Sequence, residues 1–341
     1  MKINPHEYER VMKKRPHVVI LGAGASVAAI PLGDADGRKT SVMNGFIEKL
    51  GMRDLLESIQ LKTKSDNLED IYSELYERSD CRQVLEVLEE RIYNYFSEFK
   101  IPDKPTVYDM LLLSLREKDV IATFNWDPLL LQAYLRVHNF TSKLPKLLFL
   151  HGNVLVGLCH KHKRGGLMGN LCPVCYQEFK PSRLLYPVRN KDYQSDPYIR
   201  DNWNAIKDYM RRAYMVTIFG YSAPKTDKAA IDLLKGAWGD VEERNLEEIE
   251  IIDIRQEDEL YDSWENFIHT HHYQVHRSFF ESVIAKFPRR SCDATFDMLM
   301  NCKFLDGSKG LKEGMSFENL DKYHETILQE EESYDGVFGI D

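Results

Sequence analysis

Five short apolar runs constrain the fold of this chain more than any other feature of its sequence. Each run is rich in β-branched side chains and is followed by glycine or polar residues. Such runs, separated by helical patterns, predict the strands of an α/β domain with a mainly parallel sheet. The predicted strands cover residues 18–21, 120–123, 147–150, 215–219 and 249–254.

The segments between these runs differ in character. Residues 27–118 form a long stretch in which 67–100 has the apolar spacing of helices, so we expect helices that cap the sheet. Residues 152–180 are rich in Gly, Cys, His and Lys, which is typical of an inserted loop module with little core of its own. The sequence predicts a further helix over residues 263–287 and an acidic tail over residues 328–341.

Glycine and polar residues at the strand ends are the candidate binding residues. Ligands of open parallel sheets bind beyond the carboxyl ends of the strands, where the loops converge. The first strand leads into a glycine turn, which lets backbone N–H groups approach a pyrophosphate. The residues at the five ends are Gly22-Ala23-Gly24-Ala25-Ser26, Asn125 with Asp127, His151-Gly152, Gly220-Tyr221-Ser222 and Asp253.

Taken singly, each of these ends has a structural interpretation too. Val27 stands at the third glycine position of a dinucleotide fingerprint, so the first turn alone is a weak indication of phosphate binding. Asn125 could cap a helix, because Pro128 follows at an early helical position. His151 could be a hydrogen-bonded, partly buried histidine. The five ends together favour a ligand site.

A cysteine and histidine cluster predicts a structural zinc site. Cys159 and His162, followed by Cys172 and Cys175, give a C-x2-H-x9-C-x2-C arrangement that suits tetrahedral zinc. His160 could replace His162, and a loop without metal is the alternative. We interpret the other three cysteines, Cys81, Cys292 and Cys302, as buried thiols. The four histidines of residues 263–287 are interpreted as a solvated helix face and less readily as a second metal site, namely His269, His271, His272 and His276.

Composition narrows the function classes. A formal net charge of −9 over 341 residues argues against a surface built for long nucleic acids. No run approaches the roughly 20 apolar residues of a membrane span, and residues 1–15 carry charges throughout. We therefore expect no membrane partner, a cytoplasmic location and a small-molecule site.

The order of these motifs resembles the sirtuin superfamily over residues 18–254. The resemblance rests on the glycine turn at Gly22, on Thr123-Phe124-Asn125-Trp126-Asp127, on Leu150-His151-Gly152, on the Cys/His module and on Gly220-Tyr221-Ser222. Protein deacylases of the family carry a Phe-Arg pair where this chain has Leu32-Gly33-Asp34, and Gln and Ile where it has Phe124 and Trp126. This altered form is more similar to the SIR2-like NAD-hydrolysing proteins of bacterial antiphage defence.

The resemblance implies a Rossmann-like core that binds NAD as substrate, with a structural zinc. It implies that Asn125 and His151 act at the nicotinamide ribose. It implies that Asp127 fixes the loop or contacts the ribose and that Asp253 binds the adenosine ribose. The residues that it implies for binding the pyrophosphate are Gly22, Ala23, Gly24, Ser26, Gly220 and Ser222. The implied partners are further copies of the chain and an ATPase or nuclease of a defence system.

The implied division of the chain is a core of residues 1–26, 119–151 and 181–260, a helical insertion of 27–118, a zinc module of 152–180 and C-terminal helices with an acidic tail over 261–341. NAD hydrolysis to nicotinamide and ADP-ribose is the first functional hypothesis. NAD-dependent protein deacylation is the second. A module that binds a nucleotide without turnover is the third.

Overall fold

The computed structural model describes residues 11–40, 45–188, 191–223, 227–240, 242–244, 246–264, 267 and 273–333. Within these ranges, six strands form one fully parallel sheet, and every strand that the sequence predicts is present. The strands of this sheet are β1 (His17–Leu21), β2 (Val120–Thr123), β3 (Lys146–Phe149), β7 (Met215–Phe219), β8 (Glu248–Ile252) and β9 (Tyr273–His276).

The strands are arranged in the order β3-β2-β1-β7-β8-β9. Counted along the chain within this sheet, the order is 3-2-1-4-5-6, which is the Rossmann order. The direction of the order reverses between β1 and β7. In register, Leu21 lies beside both Thr123 and Phe219, so the carboxyl ends of the three central strands are level. The predicted α/β fold with a Rossmann-like sheet is confirmed.

The sixth strand corrects one prediction. Residues 263–287 do not form one helix, because β9 pairs with β8 through Ile249 beside Tyr273 and Ile252 beside His276. His276 therefore lies on an edge strand, with its Nε2 atom 3.3 Å from Oε1 of Glu250. His269, His271 and His272 lie outside the described residues.

Helices cover both faces of the sheet, and several begin at a side-chain cap. Asn67 accepts the N–H of Glu69 and Asp196 accepts that of Ile199, each at the start of a helix. In the described residues the helices are α1 (Ala23–Ala29), α2 (Phe46–Lys49), α3 (Arg53–Glu57), α4 (Leu68–Glu77), α5 (Arg82–Ser97), α6 (Val107–Leu113), α7 (Leu129–Val137), α8 (Pro197–Arg212), α9 (Lys228–Trp238), α10 (Glu257–Trp264), α11 (Val283–Lys286), α12 (Ser291–Met300) and α13 (Phe317–Ser333). Short 3-10 turns lie at Ser79–Cys81, Phe279–Glu281 and Gly307–Lys309.

Alternate residues of β1 face two separate cores. Val19 and Leu21 pack with the helices of residues 46–113, whereas Val18 and Ile20 pack with α8 and α9. Because β1 is covered on both sides, its run of apolar residues is continuous instead of alternating. The helical insertion is thus part of the core on one face of the sheet.

A second sheet forms the inserted module. In the described residues it has three antiparallel strands in the order β5-β4-β6, namely β4 (Val156–Cys159), β5 (Arg164–Leu167) and β6 (Lys180–Pro181). A Cβ atom on Gly166 would lie only 2.2 Å from the ring of Phe179. The module's own core is confined to Cys159, Cys172 and Phe179. None of the helices in the described ranges has the length and apolar character required to cross a membrane.

Candidate functional site

Two glycine turns meet at the point where the strand order reverses. The N–H of Gly22 donates to the carbonyl of Phe219 at 3.0 Å, and the N–H of Gly24 donates to that of Gly220 at 2.9 Å. Gly220 has a φ of +61°, and a Cβ on it would lie 2.3 Å from the nitrogen of Ala25. Glycine is needed here because two backbones touch. The N–H groups of Gly22 and Gly24 thus serve the contact between the turns.

Asn125 is bound to the first of these turns. Its Nδ2 atom donates to the carbonyl of Gly22 at 2.8 Å and to Oγ of Ser26 at 2.9 Å. A carbonyl partner requires a donor, so the orientation of the amide is fixed. In the described residues all side-chain hydrogen bonds of Asn125 are made by Nδ2, which leaves Oδ1 for a ligand. Asn125 does not cap α7, since Asp127 Oδ1 accepts the N–H of Leu129 there.

Ser26 and Asp127 form a buried network behind Asn125. The Ser26 hydroxyl donates to Asp127 Oδ2 at 2.7 Å and lies 2.8 Å from the hydroxyl of Tyr108. The Asp127 carbonyl accepts from Nδ2 of Asn153 at 2.6 Å. Burial raises the pKa of Asp127 and of Tyr108. The side chains of Ser26 and Asp127 are therefore occupied in fixing the turn, and their contacts with NAD stay predictions.

His151 follows β3 and is buried, with 5 % of its surface exposed. Gly152, with a φ of +81°, lets the chain pass the carbonyl of Arg183, which a Cβ would approach to 2.1 Å. Burial lowers the pKa of His151 to about 4. The imidazole is therefore neutral at pH 7 and able to accept a proton. Among the described residues, none is a hydrogen-bond partner of its Nε2 atom.

An aromatic stack connects His151 to the other strand ends. The ring of Phe124 meets that of His151 edge-on at 4.8 Å and stacks on that of Tyr221 at 4.3 Å. Tyr193 lies parallel to His151, with 6.1 Å between ring centroids. Since Phe124 precedes Asn125, one short segment contacts both the glycine turn and the histidine. In the described residues, no hydrogen bond joins Asn125 to His151.

A buried ion pair lies beside this stack. Lys191 is bound to Asp227 Oδ1, and the Tyr221 hydroxyl donates to Oδ2 of the same carboxylate at 2.9 Å. The charge of Asp227 raises the pKa of His151, and that of Lys191 lowers it. His151 and Lys191 in turn hold the pKa of Asp227 below its usual range despite burial. The carboxylate and the ammonium near the histidine therefore act on its pKa in opposite directions.

The remaining predicted residues are less enclosed than Ser26, Asp127 and His151. Ala23, Gly24 and Ser222 are exposed, so both turns are open to a ligand. Asp253 follows β8, and its carboxylate accepts three hydrogen bonds from the backbone and guanidinium of Arg255, at 3.0 to 3.2 Å. A ribose hydroxyl would have to share that carboxylate with Arg255. Asp253 has no contact with Asn125 or His151 in the described part of the chain.

The four predicted metal ligands come together. The ligand atoms of Cys159, His162, Cys172 and Cys175 all lie within 4.8 Å of one another. The Sγ atoms of Cys159 and Cys175 are 3.7 Å apart, and each of Cys159 and Cys172 lies 3.5 to 3.6 Å from Nδ1 of His162. Zn–S bonds of about 2.3 Å at tetrahedral angles place two sulfurs about 3.8 Å apart. The four residues therefore fit a zinc site in which His162 is the histidine ligand. His160 is exposed and lies outside the cluster.

Three residues near His151 were missed in the sequence. Lys191 and Tyr193 follow the zinc module in a segment without a strand end or glycine turn. Asp227 precedes α9, where an aspartate is expected only as a cap. Their approach to His151 depends on the packing of this segment against Trp203. No local sequence signal identifies such a contact.

Comparison with protein-family models and with curated proteins gives no match. Solved structures do match. One, described as a Sir2 homologue in complex with NAD, is 12% identical with a TM-score of 0.38, over 88% of this chain and 94% of that one. One described under the structural basis of sirtuin substrate affinity is 17% identical with a TM-score of 0.38, over 88% and 100%. A Sir2 protein bound to a propionylated peptide is 15% identical with a TM-score of 0.37, over 88% and 99%.

Proposed function

We propose that this chain is a SIR2-like NAD hydrolase that cleaves NAD to nicotinamide and ADP-ribose. The observation that supports it best is the position of two side chains at the carboxyl ends of β2 and β3, on the edge of the sheet where the two glycine turns meet. Asn125 is held on the glycine turn by its Nδ2 atom, and His151 is neutral and buried at the neighbouring strand end. In open α/β sheets, ligands bind in the crevice beyond the carboxyl ends of the strands, near the point where the strand order reverses.

The reaction needs little from the protein beyond orientation and one proton acceptor. Water attacks C1′ of the nicotinamide ribose, the C1′–N bond breaks, and its electron pair leaves with neutral nicotinamide. The proton of the attacking water passes through a ribose hydroxyl to His151, which accepts the proton of that hydroxyl, and then to solvent. Oδ1 of Asn125 orients the water or the ribose. The exposed residues Gly24 and Ser222 are the proposed contacts of the pyrophosphate.

The wider role follows from the resemblance in the sequence. Depletion of NAD by a bacterial antiphage effector, assembled as an oligomer or with an ATPase or nuclease, is the proposed setting. The four-ligand cluster gives zinc a structural part in it, since all four tetrahedral positions are taken by side chains.

Release of nicotinamide by site variants tests the proposal. Asn125→Ala and His151→Gln should each reduce the rate at least about 100-fold, the usual contribution of a positioned acid or base. Asn139→Ala and His138→Gln are matched controls at exposed positions that directly follow α7, and they should retain the wild-type rate. Normal turnover by either site variant would refute the assignment of the site.

A further inference from the structure

Two buried polar atoms near the proposed reacting centre have no hydrogen-bond partner among the described residues. They are Nε2 of His151 and the hydroxyl of Tyr193, and each side chain belongs to a residue only 5 % exposed. An unpartnered buried polar group destabilises the folded state, so most such groups are satisfied by protein, water or a ligand. Two such atoms on side chains whose rings face each other mark a place where a ligand atom would be stabilised.

The two side chains belong to one site. Their rings lie nearly parallel, with 14° between planes and 6.1 Å between centroids. The ring of Tyr193 is held from behind by Trp203 at 4.6 Å. The carboxylate of Asp227 raises the pKa of both His151 and Tyr193, so both side chains lie within range of its charge.

The carboxylate of Asp227 does not satisfy either atom. Its Oδ1 is bound to Lys191 and its Oδ2 accepts from the hydroxyl of Tyr221. Because Lys191 pairs with Asp227, this ion pair near His151 carries no net charge. An anion gains little there.

The hydrogen-bonding character of the two groups fits a hydroxyl. Burial raises the pKa of Tyr193, so its hydroxyl stays protonated and donates. The neutral imidazole of His151 has one nitrogen that can accept. A hydroxyl group, which donates one hydrogen bond and accepts another, complements this pair.

We propose that Tyr193 is a substrate-binding residue whose hydroxyl, with His151, binds a hydroxyl of the ribose that carries nicotinamide. This proposal rests on the proposed NAD hydrolysis and adds to it a residue for recognition of the second ribose. ADP-ribose contains that ribose and ADP lacks it. The pair of ligands therefore separates this contact from the rest of the nucleotide site.

Calorimetric titration of the full chain with ADP-ribose and with ADP tests the proposal. Tyr193→Phe should weaken ADP-ribose binding about tenfold, as the loss of one hydrogen bond does, and leave ADP binding unchanged. Loss of an unpartnered hydroxyl should leave the melting temperature of the free protein unchanged or raise it. Tyr214→Phe is the matched control, because Tyr214 also has a buried hydroxyl without a partner in the described residues and lies before β7, at the opposite edge of the sheet.

The outcomes separate the two proposals. Equal ADP-ribose affinity of the wild type and Tyr193→Phe, or an equal loss for ADP and ADP-ribose, would overturn the role of Tyr193 while NAD hydrolysis stands. The proposed function and this inference would both be refuted if the wild-type protein binds ADP-ribose no more tightly than ADP and releases no nicotinamide from NAD. A lower melting temperature in Tyr193→Phe alone would assign the hydroxyl a structural role.

Discussion

The rings of Phe124 and Tyr221 stack at 4.3 Å with 11° between their planes. This contact joins the end of β2 to the end of β7 across the strand between them, and the other side of Phe124 meets His151 edge-on. The hydroxyl of Tyr221 then binds Asp227. One aromatic side chain thus couples the position of the proposed base to that of the buried ion pair.

Replacement of Phe124 tests this coupling. Phe124→Leu removes both ring contacts, so we expect a loss of about 1 to 2 kcal/mol in the free energy of unfolding and a roughly ten- to hundredfold lower rate of nicotinamide release. Urea unfolding and the NAD assay measure the two effects. Phe296→Leu is the control, since Phe296 is as buried but packs in a separate core with Tyr214. A variant at Phe124 that loses stability alone, as the control should, would contradict the coupling.

The contact between the glycine turns predicts a large effect of one methyl group. Gly220→Ala places a Cβ 2.3 Å from a backbone nitrogen at a φ of +61°, so we expect it to destabilise the protein by about 3 kcal/mol or more. Gly236→Ala, in α9, meets nothing within 4 Å and should stabilise by about 0.5 to 1 kcal/mol. Chemical unfolding of both variants measures the difference. Equal stabilities would mean that the turns are not in contact.

The metal cluster predicts about one zinc per chain by elemental analysis. Cys175→Ser removes one of four ligands and should lower both the zinc content and the free energy of unfolding, by at least about 2 kcal/mol, because structural zinc contributes directly to folding. Cys302, which the sequence predicted to be buried, is exposed and lies outside the cluster, so Cys302→Ser should do neither. Protein purified without zinc that is as stable as the zinc-loaded form would exclude the structural site.

Buried histidines predict loss of stability in mild acid. Burial lowers the pKa of both His17 and His151 to about 4 from 6.5. Between these values the unfolded chain takes up protons that the folded chain does not, so stability is fully present above pH 6.5 and falls as the pH drops towards 4. The loss reaches up to about 3 kcal/mol for each histidine. Urea midpoints from pH 7.5 to 5 should therefore fall, less steeply in His151→Gln, and an identical slope would show that His151 titrates normally.

The sheet was predictable from the sequence because burial on both faces makes its strands continuous apolar runs. The strands that begin at Val120 and Met215 have the predicted bounds. The strand Tyr273–His276 was not predictable, since its residues are half-buried at the edge and its neighbours Trp264, Phe267 and Phe279 complete a helical spacing. Edge strands bury too little surface to impose an apolar run.

The residues of the candidate site were predictable only where they follow a strand end or lie a short, regular distance apart in the sequence. The zinc ligands were found in full because two pairs of ligands lie three residues apart. Lys191, Tyr193 and Asp227 reach His151 through tertiary packing, which leaves no periodicity in the sequence. The burial of the Ser26 side chain was also not predictable, as it depends on Asp127 and Tyr108 far along the chain.

Product analysis of NAD incubated with the purified protein tests the central claim most directly. The reaction is run with and without an acetylated peptide, and nicotinamide, ADP-ribose and O-acetyl-ADP-ribose are separated by HPLC and identified by mass spectrometry. Water as the nucleophile predicts equal amounts of nicotinamide and ADP-ribose at a rate that the peptide does not change. Turnover that requires the peptide and yields O-acetyl-ADP-ribose would contradict NAD hydrolysis and establish a deacylase.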